Sequence, residues 1–304
     1  MEAALAKIRP EVAELRPGQR FEGRFACIAK ERQTARNGST YLSLRLRDRS
    51  GQITARAFRD ADRIGLRFEA GDAVAVRGTA ERFRGELVVE LDDVHRLEPG
   101  SFDPAEFLPT AYRSIDELEG FLEHLAGEVH DPALRAVVDR VAFSGELAAD
   151  FRRAPCTRHS HHAYVGGLLE HTVAVATLVL ETCVLHPRLD SDLLMAAAIV
   201  HDAGRAREFV LGADFELSEE GRLLGHLAIG AEIVGAAAAE LAPERRLELL
   251  NCVLSHHGPD AGPGRAQGGR SGSRQGSGFA SPEALALYRL NSLDASVKGA
   301  LEYG

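Results

Sequence analysis

The chain has no pair of cysteines in a CxxC arrangement; its four cysteines, Cys27, Cys156, Cys183 and Cys252, are scattered. That excludes a zinc ribbon and argues against a disulfide framework, so reduced thiols are expected. The first residues, MEAALAKIRPEVAEL, lack the basic-then-apolar order of a secretion signal. Long apolar runs are missing too. The longest uninterrupted one, residues 193–200, ends at a His-Asp pair, well short of the ~18–20 residues that cross a bilayer. A soluble, cytoplasmic chain with no membrane partner is the expectation.

Positive charge is also in short supply: 36 Lys/Arg face 45 Asp/Glu, a net −9 over 304 residues. An acidic total disfavours a protein that simply coats nucleic acid. The sum hides two unlike parts, however. Residues 18–98 hold 16 Lys/Arg and 13 Asp/Glu, a balance of +3, which leaves −12 on the remainder. A nucleic-acid partner is therefore not excluded. The length, with 45% hydrophobic residues, suits one large domain or two ordinary ones.

Residues 18–98 read as short strands. Leu42, Leu44 and Leu46 alternate with Tyr41, Ser43, Arg45 and Arg47, the period of a half-buried strand. Ser50-Gly51 turns the chain, and Ile53, Ala55 and Ala57 then alternate with Thr54, Arg56 and Phe58. Further strands are predicted at 73–77 and 86–91, with turns at Gly71-Asp72 and Arg84-Gly85. About five strands in this span suit a small antiparallel barrel, and an OB-fold fits best. Residues 99–112, broken by Pro99, Gly100, Pro104 and Pro109, read as a linker.

Helices dominate afterwards. Asp131-Pro132 offers an N-cap and a first-turn proline for a helix to about residue 143. Helical spacing continues over 167–185, 190–202, 224–241, 243–257 and about 281–301. Between the last two of these spans, residues 258–280 are rich in glycine and serine with three arginines, and a disordered surface loop is expected there.

Nine of the 12 histidines fall between residues 159 and 257. His171, His201-Asp202, His226, His256-His257 and Asp294 each lie on, or at the end of, a separate predicted helix. A lone histidine in an apolar helix is usually a hydrogen-bonded core residue. A whole set converging in one bundle is a metal site, because imidazole and carboxylate together suit first-row divalent ions. His256 and His257 would also suit a helix C-terminus simply for dipole reasons; of the two, His256 is the preferred ligand candidate. His161 and His162 precede the first ligand helix, and two readings stay open for them: contact with substrate phosphate, or ordinary polar surface.

With these residues in view, the sequence resembles the HD superfamily of metal-dependent phosphohydrolases. More narrowly, HHAYVGGLLEHT, AIVHDAGRAREF, GRLLGHLAIGAEIV, VLSHHG and SPEALALYRLNSLDA resemble the YhaM-type 3′-to-5′ exoribonucleases. The barrel segments NGSTYLSLRLRDRSGQITARAF and GDAVAVRGTAERFRGEL are similar as well, in the same order. The resemblance spans about residues 18–300. It implies an OB-fold followed by an all-α HD bundle that binds one or two divalent ions, Mn²⁺ foremost. The implied reaction removes nucleotides from the 3′ end of single-stranded RNA, or of DNA, by attack of an activated water on the terminal phosphodiester. His171, His201 and Asp202 carry over as core ligands, and His226 and His256 match the histidines that serve a second ion.

Three departures stand out. Arg205 occupies the position of the family's lysine after His-Asp-x-Gly, giving a fork in place of a point charge for phosphate. Asn291 stands where the family's closing ligand is an aspartate. Its amide oxygen is a weaker donor, and Asp294, three residues on, is the alternative ligand. The glycine-rich stretch replaces a family segment after the paired histidines. On the barrel, Tyr41, Arg45, Arg47, Arg56 and Phe58 share outward faces, as a surface for single-stranded bases and phosphates would.

The expected division is an N-terminal segment 1–17, an OB-fold at 18–98, a linker at 99–112 and the HD domain at 113–304. Asp202 and Arg205 are the candidate catalytic residues. Two other functions stay open: hydrolysis of nucleotides or cyclic dinucleotides, and RNA binding with weakened catalysis. A homo-oligomer is also left open.

Overall fold

The computed structural model describes residues 10–35, 38–98, 100–259 and 278–303. One compact unit takes in Met1–Thr110 with Leu211–Phe215; the other is Ala111–Val210 with Glu216–Gly304.

The first unit is a closed barrel. Its strands are β1 (Arg20–Thr34), β2 (Thr40–Asp48), β3 (Gly51–Ala57), β4 (Ala73–Phe83) and β5 (Glu86–Arg96), with a short helix α1 (Ala61–Gly65) after β3. The order around the barrel is β1-β2-β3-β5-β4, closing on β1. Pairing is antiparallel except between β3 and β5. This is the OB-fold, which removes free edges by closure. The expected alternation fills its interior: Leu42, Leu44, Leu46, Ile53, Ala55 and Ala57 are all at most 5% exposed. Buried Asp48 fixes the β2–β3 turn by accepting from the backbone N–H groups of Ser50, Gly51 and Val12. β4 and β5 run well beyond the predicted 73–77 and 86–91, because each pairs along its whole length with a neighbour. The stretch read as a linker buries Phe107 and Leu108 completely.

The second unit is helical: α2 (Ile115–Ala126), α3 (Pro132–Val138), α4 (Leu147–Arg153), α5 (Gly167–Leu185), α6 (Ser191–Val200), α7 (Arg205–Glu208), α8 (Glu219–Ala237), α9 (Pro243–Ser255) and α10 (Pro282–Tyr303). Asp131 caps α3 as expected, accepting from Ala133 and Leu134, and a π-helical turn continues it over Asp139–Phe143. α2, α4 and a hairpin of β6 (Phe209–Leu211) and β7 (Phe215–Leu217) were not anticipated. α8 begins at Glu219, five residues before the expected start, and Gly225 interrupts it with φ 70° and ψ 160°. α5 is long and apolar enough to cross a membrane by length and composition, although Glu170, His171 and Glu181 break its apolar runs. Most of the segment expected to be a disordered loop, 260–277, lies outside the described residues.

Candidate metal centre and strand-binding face

α6 is buried on every side, with Leu193 through Val200 all at most 3% exposed. A helix apolar all round belongs in the core, so its C-terminal end delivers His201 (1% exposed) and Asp202 (2%) into the interior. Around them, α5 supplies His171 and the end of α9 supplies His256, both completely buried. His226 follows the break at Gly225. The positive φ there frees the chain from the helical path, a conformation that a side chain resists. The turn after Asp202 packs against this part of α8 through Gly204, where an added Cβ would sit 2.0 Å from the His226 carbonyl oxygen.

The donor atoms form two groups that share Asp202. His171 Nε2 and His201 Nε2 are 3.3 Å apart, and each lies 3.8 Å from Asp202 Oδ2. On the other oxygen, Oδ1, stand His256 Nε2 at 3.3 Å and His226 Nε2 at 3.5 Å. His257 Nε2 is 2.9 Å from His226 Nε2. A carboxylate presenting one oxygen to each group suits two divalent ions.

Hydrogen bonds fix which ring nitrogens are free. His201 Nδ1 donates to the Ala198 carbonyl at 2.8 Å, and His256 Nδ1 donates to Val253 at 2.6 Å. Both carbonyls lie in the last turn of a helix, where they lack intrahelical partners. Since a carbonyl only accepts, each Nδ1 carries the proton and each Nε2 keeps its lone pair. His171 Nδ1 bonds Asp294 Oδ2 at 2.6 Å, and His226 Nδ1 lies 3.4 Å from Glu208 Oε1. Asp202 Oδ1 and His256 Nε2 are buried without a hydrogen-bond partner among the described residues. Two buried acceptors facing each other are unfavourable unless a cation lies between them, so the donor set fits a divalent ion.

Burial alone would raise the Asp202 carboxyl, but Arg205 and then His201 hold it well below the usual range. His201 is pushed well below its ordinary value by burial, which Asp202 offsets only in part. His161 falls to about 4, through burial and then His171 and His162. The folded protein keeps these two rings neutral where an unfolded histidine, with pKa ~6.5, takes a proton. Their stabilising contribution is therefore complete above ~6.5 and lost as the pH falls towards 4. Chelator-treated protein should melt progressively lower from about pH 7 to about pH 4.5. A melting temperature that stays flat over that range would contradict the buried neutral rings.

Several expected roles change. His162 is 1% exposed and cannot reach substrate phosphate; its ring bonds Tyr164 Oη at 2.8 Å and Asp294 at 2.9 Å. His161 is partly buried and lies against His171, with ring centroids 5.4 Å apart. Asn291 uses its amide nitrogen on the His256 carbonyl at 3.1 Å, so it positions the end of α9. Asp294 Oδ2 receives both His162 and His171, as a carboxylate orienting His171 from behind would, and these three residues also form a group that could hold an ion. Arg205 is held by Glu208 at 2.8 Å and lies 3.4 Å from Asp202. Its charge therefore serves these carboxylates. Glu208 was missed: it backs His226 and Arg205 and accepts the His226 backbone N–H at 3.1 Å. Its place three residues after Arg205 was the available signal. Five other histidines, His95, His124, His130, His159 and His186, are exposed.

On the barrel, Tyr41 and Phe58 stack with centroids 5.1 Å apart, and Phe58 is 48% exposed. Arg45 is exposed and Arg56 half-buried. Arg56 lies 4.5 Å over the ring of Phe83, itself 45% exposed. Phe83 and Arg84, at the β4–β5 turn, join this aromatic–guanidinium surface and were missed. Arg47 drops out: it donates to the Ala213 carbonyl at 2.9 Å and pairs with Asp214 at 3.2 Å.

Comparison with known proteins matches two separate stretches of the chain. A model of the HD domain matches residues 168–295, and one of the OB-fold nucleic acid binding domain matches residues 26–97. The 3′-5′ exoribonuclease YhaM of Bacillus velezensis is 30% identical over 244 residues, 79% of this chain and 77% of the relative. The Bacillus subtilis enzyme of the same name is 30% identical over 227 residues, covering 74% and 72%. That of Oceanobacillus iheyensis is 29% identical over 244 residues, covering 79% and 76%. Among solved structures, the second OB-fold domain of replication protein A from Methanococcus maripaludis is 20% identical with a TM-score of 0.26, covering 32% of this chain and 100% of that one.

Proposed function

The chain belongs to the YhaM family of 3′-5′ exoribonucleases, and from that membership we propose that it shortens single-stranded RNA from the 3′ end with divalent metal, Mn²⁺ foremost. The observation that carries the reading is the shared Asp202, with histidine Nε2 atoms 3.3–3.8 Å from its two oxygens and partnerless buried acceptors among them.

His171, His201 and Asp202 would hold one ion, and Asp202, His226, His256 and His257 a second. Ions bound there supply Lewis acidity and lower the pKa of water to near neutrality. The chain's own groups prepare that site. Ala198, Val253, Asp294 and Glu208 orient the four rings, and Arg205 keeps Asp202 ionised despite its burial. Close packing by α6 keeps bulk water out on that side. In this reading residues 18–98 hold the strand, residues 113–304 cut it, and the protein works in the cytoplasm.

The test is a 5′-labelled RNA oligonucleotide, incubated with Mn²⁺-loaded protein. Stepwise shortening from the 3′ end, stopped by chelator, is expected. An intact oligonucleotide alongside rapid turnover of mononucleotides or cyclic dinucleotides would replace the reading with a small-nucleotide phosphohydrolase. RNA bound but left whole would leave a binding protein.

The barrel face makes a separate prediction. Phe58→Ala and Phe83→Ala should each weaken binding of single-stranded RNA by ~1–3 kcal/mol, the worth of one stacked base. Arg47→Ala should weaken it less than Arg45→Ala, because Arg47 is occupied by Ala213 and Asp214. Fluorescence anisotropy at fixed salt, with the matching DNA as competitor, measures both. Unchanged affinity in the two phenylalanine variants would remove this face from the proposal.

A further inference from the structure

Cys156 has no part in the centre as described, yet it is fully buried beside it. Its thiol donates to Asp202 Oδ2 at 3.6 Å. One donor atom from each of Cys156, His161 and His171 lies within 4.8 Å of the others. His161 Nδ1 is buried with no hydrogen-bond partner among the described residues. The backbone holds this arrangement: Cys156 N–H donates to the His162 carbonyl at 3.1 Å, and the Thr157 hydroxyl donates to the His161 carbonyl at 2.8 Å. The loop between α4 and α5 thus brings sulfur, imidazole nitrogen and carboxylate oxygen together in one dry place.

We propose that Cys156 is a metal ligand, so that the His171 side of Asp202 is a sulfur-containing position for a borderline-soft ion such as Zn²⁺, with His161 as a neighbouring donor. Asp202, His226, His256 and His257 then form an all-nitrogen-and-oxygen position suited to Mn²⁺. The inference rests on the metal-centre reading above and adds what one position prefers to hold.

Thiolate selects zinc over the hard ions, which favour oxygen. Zn–S bonds of ~2.3 Å and Zn–N bonds of ~2.0–2.1 Å in tetrahedral array put donor atoms ~3.3–3.7 Å apart. The Cys156 Sγ–Asp202 Oδ2 separation of 3.6 Å falls in that range, and His171 Nε2, 3.8 Å from the same oxygen, lies just beyond it. On ligation the thiol proton leaves to solvent and the sulfur takes the ion in its place. Cys27, Cys183 and Cys252 are in none of the candidate metal-binding groups among the described residues, so a sulfur signal reports on Cys156.

The test uses the full chain, stripped of metal and loaded with Co²⁺ or Zn²⁺. The Co²⁺ form should show a near-ultraviolet sulfur-to-cobalt charge-transfer band. Cys156→Ser and Cys156→Ala should lose that band while still binding Co²⁺. Their Zn²⁺ affinity, measured by competition with a chromophoric chelator, should fall at least ~10-fold, the smaller cost of losing even an outer partner of a ligand. X-ray absorption on wild-type zinc protein should find sulfur at ~2.3 Å, which decides the matter even if the variants fold poorly. Absence of sulfur from the wild-type spectra, or a band that survives in Cys156→Ser, overturns the proposal. RNA shortening in Mn²⁺ is scored on the same wild-type preparation. RNA cut by a protein without the sulfur band sinks only this inference; a sulfur band in a protein that leaves RNA whole sinks only the nuclease reading.

Discussion

Asp202→Asn is expected to abolish tight metal binding and to slow RNA shortening by at least ~10²–10³-fold, the range for removing one preorganised electrostatic group from a reacting centre. The reason is the position of this one side chain. Each of its oxygens faces a separate set of histidine nitrogens, at 3.8 Å on Oδ2 and at 3.3 and 3.5 Å on Oδ1. The amide keeps the shape but removes the charge that both sets share. It also replaces one oxygen with an NH₂ donor aimed at imidazole lone pairs, so the histidines would be satisfied without a cation. Metal content after gel filtration and the labelled-RNA assay measure the two effects, and circular dichroism checks the fold. Near-wild-type metal content, or RNA shortening within about tenfold of wild type, would show that Asp202 is not the shared ligand.

Gly204→Ala is expected to destabilise the helical unit by at least ~2–3 kcal/mol, the upper part of the range for overpacking, and to empty the centre of metal. The new Cβ would lie 2.0 Å from the His226 carbonyl oxygen and 2.6 Å from the Gly230 nitrogen. Both are backbone atoms, so no rotamer change relieves the clash. α8 must move away from the turn after Asp202, taking His226 with it. Chemical denaturation of chelated protein gives the stability, and metal titration gives the second effect. Gly225→Ala provides the contrast. Space is open around that residue and its strain comes only from a backbone at φ 70° and ψ 160°, a region essentially confined to glycine, so its cost should be ~1–3 kcal/mol without a clash between α8 and the turn after Asp202. Equal midpoints for Gly204→Ala and wild type would mean that α8 is free to shift.

The substitutions would read so differently because spacing in the chain announces ligand types but not ligand neighbours. His171, His201-Asp202, His226 and His256-His257 were legible as a candidate metal set from residue type and helical placement, and the structure brings their donor atoms together. The barrel was legible from strict alternation at Leu42, Leu44 and Leu46, since a pleated strand puts every second residue on one face. Arg47 and Arg45 share that alternation, yet one is tied to Asp214 and the other is exposed. Asn291 and Asp294 illustrate the same limit. Their places on α10 made both ligand candidates, but one amide bonds the end of α9 and one carboxylate backs His171.

What the sequence determined alone is therefore the local part: period, caps, the alternating faces of the barrel strands and the histidine and aspartate candidates for a metal site. These follow from contacts a few residues apart, where backbone geometry is fixed. Tertiary structure decided which nitrogen of each histidine stays free, which carboxylate is shared, and that Cys156 stands beside Asp202, 46 residues away in sequence. Those outcomes depend on hydrogen bonds and burial between distant segments. Only when α6 is packed on all sides do the residues at its end lose water and turn to one another.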